Sequence, residues 1–402
     1  MKQSKKLWQV DEGPHPLVEA YTVGEDYLFD QQLLPFDIQG TKAHAAMLAE
    51  MKIVTATELV HIEKTLDALL IEWERGSFFI TQDQEDCHTA IEQYLVLALG
   101  DLGKKIHTGR SRNDQTLVMT RLYEKAALQD LEQSIQTTSK AFSSAAERHK
   151  DQQMPGYTHM QRAMPTTVGT WLHAFADGFT DSRLALACAK TLIDQNPLGS
   201  ASGFGIGNFP LQRESTTKEL GFAKTQDNPM YCGLSRGLFE IEVLHALTMP
   251  MMLAGRFASD MLLFTTDEFN FVRLPKTFTT GSSIMPNKQN YDLFEIMRGN
   301  VRVFTAYQQE IQQIVGGLYS GYSRDLQLTK PPLIRGLELA KATLELLTTV
   351  VPELLVQPKS ITAAMSSDLF ATEQVYELVK QGMSFRDAYL SVKATLAKQA
   401  KT

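Results

Sequence analysis

Two stretches of this chain, residues 41–75 and 111–154, contain neither glycine nor proline. Both are rich in Ala, Leu, Glu, Lys and Gln, side chains that lose little freedom in a helix. In the second, Leu128, Leu131, Ile135 and Phe142 recur at near-helical spacing, as one face turned to a core would. Such runs far exceed an average helix of ~11–12 residues. They predict long helices in a bundle, including one shared between subunits. Further helices are predicted at residues 84–99, 167–194, 238–266, 292–315 and 335–351, and alternating strand patterns are scarce. The expected fold class is all-α, with minor strand content.

Composition narrows the function classes. Lys plus Arg is 39 and Asp plus Glu is 46, a formal charge of −7 that argues against a general nucleic-acid binder. Three cysteines, Cys87, Cys188 and Cys232, are widely spaced and form no CxxC pair. That predicts neither a disulfide framework nor a zinc site and fits a reducing cytoplasm. The most apolar segment, residues 244–254, is interrupted by Thr248 and Pro250 and falls short of the ~20 residues a membrane span needs, so no membrane association is expected. The basic opening, MKQSKKLWQVDEG, has no apolar stretch behind it and is not read as a secretory leader.

Three polar, glycine-containing loops between the predicted helices carry the chemistry. Residues 107–115 read HTGRSRNDQ, in which Arg110 and Arg112 offer forked donors to carboxylates and Asn113 sits where a helix begins. From spacing alone this is equally a capped helix start with a surface arginine pair. Residues 154–165 read MPGYTHMQRAMP, holding Thr158 and His159 between two prolines. A histidine there is a general acid–base candidate or an ordinary hydrogen-bonded loop residue. Residues 279–290 read TTGSSIMPNKQN, with Gly281 before Ser282 and with Lys288 and Asn290 leading into the next helix. A serine acts as a base only where cations and oriented N–H groups stabilise its alkoxide. This loop has both, although a plain helix-capping turn has the same residues. The glycine-rich run 199–207 follows no predicted strand and is not read as a dinucleotide site.

Together these loops resemble the fumarase/aspartase superfamily. GSSIMPNKQN resembles its GSSxMPxKxN string, while THMQR and HTGRSRNDQ resemble the argininosuccinate lyase branch. The segment YSRDLQLTK, residues 322–330, is similar to that branch's Y-x-K-D-x-Q-x-x-K. The resemblance extends over nearly the whole chain, and what it implies is specific. The fold would be a long-helix bundle of the fumarase/aspartase type, in a homotetramer whose active sites each draw loops from three subunits. The expected domains are residues 1–106, a helical N-terminal domain, 107–355, the central bundle, and 356–402, a short helical C-terminal domain.

The reaction implied is β-elimination of argininosuccinate to arginine and fumarate, without cofactor or metal. Ser282 would remove the Cβ proton and Lys288 and Asn290 would stabilise the resulting aci-carboxylate, with His159 as acid or as partner of the departing nitrogen. Arg112, Asn113, Thr158, Tyr322, Gln327 and Lys330 carry over as substrate contacts. An acidic protein taking an anionic substrate must concentrate cations locally, for which Arg110, Arg112, Lys288, Arg324 and Lys330 are the candidates. Asp26 occupies a position where the family has a serine, and a carboxylate there suits a guanidinium. The alternatives are a sister lyase releasing fumarate from another N-succinyl compound and a non-catalytic structural homologue.

Overall fold

A computed structural model describes residues 14–399; the basic opening segment considered for a leader lies outside the described residues. In chain order the helices are α1 (Pro16–Val23), α2 (Asp26–Glu50), α3 (Ala56–Glu74), α4 (Cys87–Leu99), α5 (Asp101–Lys105), α6 (Arg112–Arg148), α7 (Val168–Ile193), α8 (Arg213–Glu219) and α9 (Pro229–Leu234). They continue with α10 (Leu238–Ala246), α11 (Thr248–Phe264), α12 (Asp292–Val315), α13 (Lys330–Val350), α14 (Pro358–Ala364), α15 (Ala371–Lys380) and α16 (Phe385–Gln399). Strand content is small, as expected. The antiparallel hairpin β1 (Gln153–Thr158) and β2 (Gln161–Thr167) is the largest sheet, and the other two are pairs of two-residue strands.

The all-α bundle expectation holds. The second glycine- and proline-free run becomes α6, 37 residues long, and Leu128, Leu131, Ile135 and Phe142 are all buried along it. The first run is not one helix, because the chain turns between α2 and α3, where Thr55 forms a capping box with Glu58. Helix α2 instead extends backward through Pro35 and Gly40. Proline at 35 has no N–H for the Gln31 carbonyl, and the Trp73 indole of α3 donates to that carbonyl at 2.9 Å. At Gly40 a Cβ would meet Val118 of α6 at 3.1 Å, so the missing side chain allows the close approach. Helix α13 begins five residues before the expected Arg335, since Pro331 and Pro332 occupy its first turn, where absent N–H groups cost nothing.

The described chain groups into two compact units, each assembled from three segments. The sequence-order division at 106 and 355 follows the chain, whereas compactness sets one of its boundaries inside α6. The described residues of the first unit run up to Glu132 and take in Leu184–Leu247 and Phe304–Leu339. Its core packs Leu33, Leu34, Ile38 and Leu48 of α2 against Ile62, Leu66 and Leu69 of α3 and Ile91 and Leu95 of α4. Each such buried side chain contributes about 1.5–3 kcal/mol relative to exposure.

The second unit comprises Gln133–Arg183, Thr248–Val303 and the described residues from Ala340 onward. Here Phe142 lies 5.5 Å from both Phe175 and Phe179 of α7 and 4.9 Å, edge-on, from Phe257 of α11.

The apolar segment is interrupted where the sequence placed the break, α10 ending at Ala246 and α11 starting at Thr248 with Pro250 in its first turn. The run Leu238–Phe264 is 27 residues with a mean hydropathy of 1.3 in its most apolar window. By length and composition it could cross a membrane. Half of that window is buried inside the fold, as for a core helix.

Candidate active site

The first loop ends on the N-terminus of α6, where Asp114 organises the backbone. One carboxylate oxygen accepts from Ser111 N–H at 3.0 Å, and the other accepts from Gly199 and Ala201 N–H, both at 3.0 Å. The glycine-rich run 199–207 is thereby tied to the start of α6. Its left-handed residues, Gly199 at φ 85° and Ala201 at φ 52°, let both N–H groups converge on one oxygen. Within this unit a cleft is lined by Asn113, Ser200, Gly203, Arg236, Gly321 and Tyr322, among others. Two of the sequence-predicted contacts, Asn113 and Tyr322, are therefore brought together from distant parts of the chain. Arg236 and the glycine-rich turn were missed. The turn's sequence signal is its glycine content, which a nucleotide-binding loop shares.

The expected cations mostly have internal partners. Arg110 is buried, donates to Thr41 Oγ1 at 2.9 Å and lies 3.7 Å from Asp37. Arg112 is held by Glu85 at 3.1 Å, Asp86 at 3.3 Å and Thr89 at 2.9 Å. Arg324 donates to the Thr22 carbonyl at 3.0 Å, and Gln327 donates to the carbonyls of Thr22 and Val23 at 3.1 and 3.2 Å. Lys330 is buried between Asp30 at 2.6 Å and Asp26 at 2.9 Å. Asp26 thus faces an ammonium of its own chain, where the sequence suggested a guanidinium.

Burial works against charge on Lys330, but the two carboxylates outweigh it and raise its pKa. Burial also pushes Asp26 up to about 6, Lys330 offsetting only part of the effect and Asp30 adding to it. A carboxyl whose folded pKa exceeds its usual 3.8 leaves the folded state holding the extra proton between about pH 4 and 6. Its stabilising contribution is full below the lower value and lost as pH rises through the upper one. Asp26→Asn is therefore expected to gain on the wild type by about 2 kcal/mol as pH rises from 4 to 7, because each tenfold difference in proton affinity between folded and unfolded chain is worth about 1.4 kcal/mol. Denaturant melts at each pH check this, and a pH-independent difference would contradict it.

Deeper in the first unit, His88 Nδ1 lies 2.7 Å from Asp37 and Nε2 lies 2.9 Å from Thr116 Oγ1. Burial opposes charge on His88, but Asp37 raises its pKa, and the reciprocal interaction lowers that of Asp37. Cys87 completes a cluster compact enough to hold a metal ion. Both ring nitrogens are already occupied, however, and burial pushes the Cys87 thiol up, away from the thiolate a metal needs. The cluster reads as a buried network beneath the first loop, with both ring nitrogens of His88 bonded internally.

In the second unit the other two loops take defined shapes. The segment predicted as a loop around His159 is the β1–β2 hairpin, with Pro155 paired to Pro165 and Thr158 to Gln161. Prolines inside strands hid it from the sequence, but in a two-stranded ribbon both strands are edges and tolerate them. His159 and Met160 form its exposed tip at φ 53° and 61°. Two adjacent non-glycine residues in the left-handed region cost about 1–2 kcal/mol each and hold the imidazole outward on a stiff turn. The ribbon is anchored where Arg162 donates to the Ala364 carbonyl at 2.8 Å and Tyr157 packs 5.6 Å from Phe269.

The third loop is closed at its base by reciprocal bonds between Thr280 and Asn290, at 3.1 and 2.9 Å. Inside it, Ser282 Oγ accepts from the backbone N–H of Ile284 at 3.3 Å and of Met285 at 3.1 Å. Asn290 Nδ2 reaches the Gly281 carbonyl at 3.4 Å, and the Lys288 side chain is exposed on the same loop. Donors aimed at a hydroxyl oxygen favour its deprotonated form, as a serine base requires.

Comparison with known proteins agrees with these motifs. The lyase family profile matches residues 16–304. The argininosuccinate lyase of Sorangium cellulosum is 42% identical over 394 residues, 98% of this chain and 91% of that protein. That of Thermotoga neapolitana is 39% identical, over 97% of this chain and 98% of that protein. Among solved structures, an EDDS lyase variant with bound fumarate superposes with a TM-score of 0.79 at 23% identity, covering 97% of this chain and 77% of that one. A class II fumarase from Schistosoma mansoni gives 0.76 at 15% identity, covering 93% and 91%. At those identities the structures speak for the fold alone, but the sequence relatives span this chain nearly end to end at about 40% identity, and the chain belongs to the argininosuccinate lyase family.

Proposed function

We propose that the chain cleaves argininosuccinate to arginine and fumarate by base-catalysed β-elimination. The observation that supports this most is the pair of N–H groups directed at Ser282 Oγ, on a loop that also carries Lys288 and Asn290. A proton beside a carboxylate is weakly acidic, because its loss puts a second negative charge on that group. Ser282, as alkoxide, takes the Cβ proton. Lys288 and Asn290 hold the carboxylate as charge develops, which lowers the barrier most if their contacts tighten only then. The C–N bond breaks with its electron pair passing to the departing guanidino nitrogen, and His159 on the hairpin tip delivers the proton or orients that nitrogen.

Asn113, Thr158, Tyr322 and Gln327 bind the substrate in this reading. Arg112 and Lys330, already neutralised by carboxylates, keep the starts of α6 and α2 in place for them. The elimination balances without cofactor or metal. The enzyme works as a homotetramer in the cytoplasm, each site drawing loops from three subunits. The exposed apolar side chains Met160, Ile284 and Ile296 would be covered by neighbouring subunits, and unpaired Cys87, Cys188 and Cys232 suit a reducing compartment. The deciding experiment gives purified protein argininosuccinate, adenylosuccinate and aspartate and follows fumarate by its ultraviolet absorbance. Fastest release from argininosuccinate is expected; none from it, or faster release from another compound, rejects the reading.

A further inference from the structure

Two glutamates in the core of the first unit take no part in the proposed reaction. Glu124 of α6 and Glu240 of α10 are 1% and 4% exposed. A carboxylate at that depth is too costly to keep unless it is paired or protonated. Arg121, one turn before Glu124, reaches from α6 to α10, its guanidinium 4.5 Å from the centroid of the Phe239 ring beside Glu240. Its amino groups nevertheless bond to neither acid. They donate to the Gln195 carbonyl at 2.9 Å, to Gln226 Oε1 at 3.3 Å and to Ser235 Oγ at 3.2 Å. Arg236, the other cation here, donates to the Leu326 carbonyl at 3.1 Å.

The two acids differ in what they are offered. One oxygen of Glu240 accepts from Gly237 N–H at 2.6 Å, a donor that suits a carboxylate at the start of α10. Glu124 Oε1 is buried with no hydrogen-bond partner among the described residues, which suits a protonated carboxyl. Burial raises the pKa of Glu124, and the charge of Glu240 raises it further, well above the usual 4.5, with Arg121 offsetting only part. Burial also raises that of Glu240, against the pull of the Gly237 N–H, Arg236 and Arg121. Of the other titratable groups there, Tyr123 on α6 and Tyr231 and Cys232 on α9, burial pushes the Tyr123 phenol and the Cys232 thiol up, away from charge.

We infer that Glu124 and Glu240 form a buried acid pair that holds one proton and clasps α6 to α10, a clasp that weakens as pH rises. Two carboxyls in one dry site do not both ionise readily, so the folded chain keeps a proton that the unfolded chain releases near 4.5. Above that pH each further unit favours unfolding, by up to about tenfold in the unfolding constant, until the folded pair ionises as well. The stability that the pair contributes is full in acid and lost toward alkaline pH. Ser235, bonded to Arg121, and Arg236 form the turn into α10, and Arg236 lines the cleft with Asn113 and Tyr322, so the clasp adjoins the wall of that cleft. None of this depends on which substrate the cleft takes.

Urea unfolding of the full-length protein at fixed concentration between pH 5 and 8 tests the pair, with wild type, Glu124→Gln, Glu240→Gln and the double variant compared at each pH. Glutamine keeps the shape and cannot ionise. Relative to Glu124→Gln, the wild-type unfolding constant is expected to rise by at least about tenfold from pH 5 to pH 8. Asp26 and the other acids titrate alike in every variant and cancel. At pH 8 the second glutamine should gain less in a background that already carries the first, since removing either acid ends the competition for the proton. A ratio of wild type to Glu124→Gln that stays constant with pH overturns the inference. Equal gains in both backgrounds mean two independent acids and overturn the shared proton. If Glu124→Gln does not fold, Glu240→Gln carries the same comparison, and a constant ratio there is equally fatal.

Discussion

Replacing Ser282 by alanine is expected to lower kcat on argininosuccinate by at least about 10³-fold while leaving the fold and substrate affinity nearly intact. The size follows from removing the group proposed to accept the proton, since each factor of ten is about 1.4 kcal/mol of barrier and positioned acid–base groups contribute about 10²–10⁴. The small structural effect follows from location. Ser282 is half-buried on an exposed loop, and the N–H groups of Ile284 and Met285 that it serves belong to exposed residues that water can satisfy. Stability should move by no more than about 1 kcal/mol. Fumarate release and a thermal melt on the same preparation separate the two effects. Turnover near the wild-type rate would remove Ser282 as the base, whatever else the loop does.

Replacing Lys330 by methionine is expected to do the reverse and damage stability first. Asp26 and Asp30 would share a buried site with no counter-charge, where breaking such an arrangement costs about 3–5 kcal/mol. Without the ammonium Asp26 is pushed further up, so the folded state holds a proton that the unfolded chain releases. Stability is then retained at acidic pH and lost as pH rises. Lys330→Met should consequently melt close to wild type near pH 4 and far below it at pH 7. Adding Asp26→Asn and Asp30→Asn should restore the neutral-pH melt, because a neutral trio needs no cation. A single variant that is equally unstable at both pH values would show that lost packing, rather than stranded charge, is responsible.

The contrast between these residues shows what was legible in the sequence. Helix α6 was visible from residue types and from the period of Leu128, Leu131, Ile135 and Phe142, because burying one face of a helix imposes that period on the chain itself. Ser282, Lys288 and Asn290 were visible as one string because a single short loop carries them, as were Thr158 and His159 on the other. The hairpin around His159 was not, since its strands contain prolines and its two-residue turn lacks the usual Asn-Gly signal. The loop residues and their spacing needed only local chain order.

Charge was the opposite case. Arg110, Arg112, Lys288, Arg324 and Lys330 look alike in a sequence, as five cations suited to an anionic substrate. Whether a cation is available depends on what lies within about 4 Å of it, and those neighbours come from far along the chain: Asp37 for Arg110, Glu85 and Asp86 for Arg112, Asp26 and Asp30 for Lys330. The same dependence brought Arg236 and the glycine-rich turn to the cleft beside Asn113 and Tyr322. Chain order alone therefore determined the helical bundle, the family and the loops that carry the candidate site, since periodicity and short motifs are local properties. Only the tertiary structure decided which charges are neutralised and which face a cleft, because electrostatic pairing is set by distance in space and by the water that burial removes.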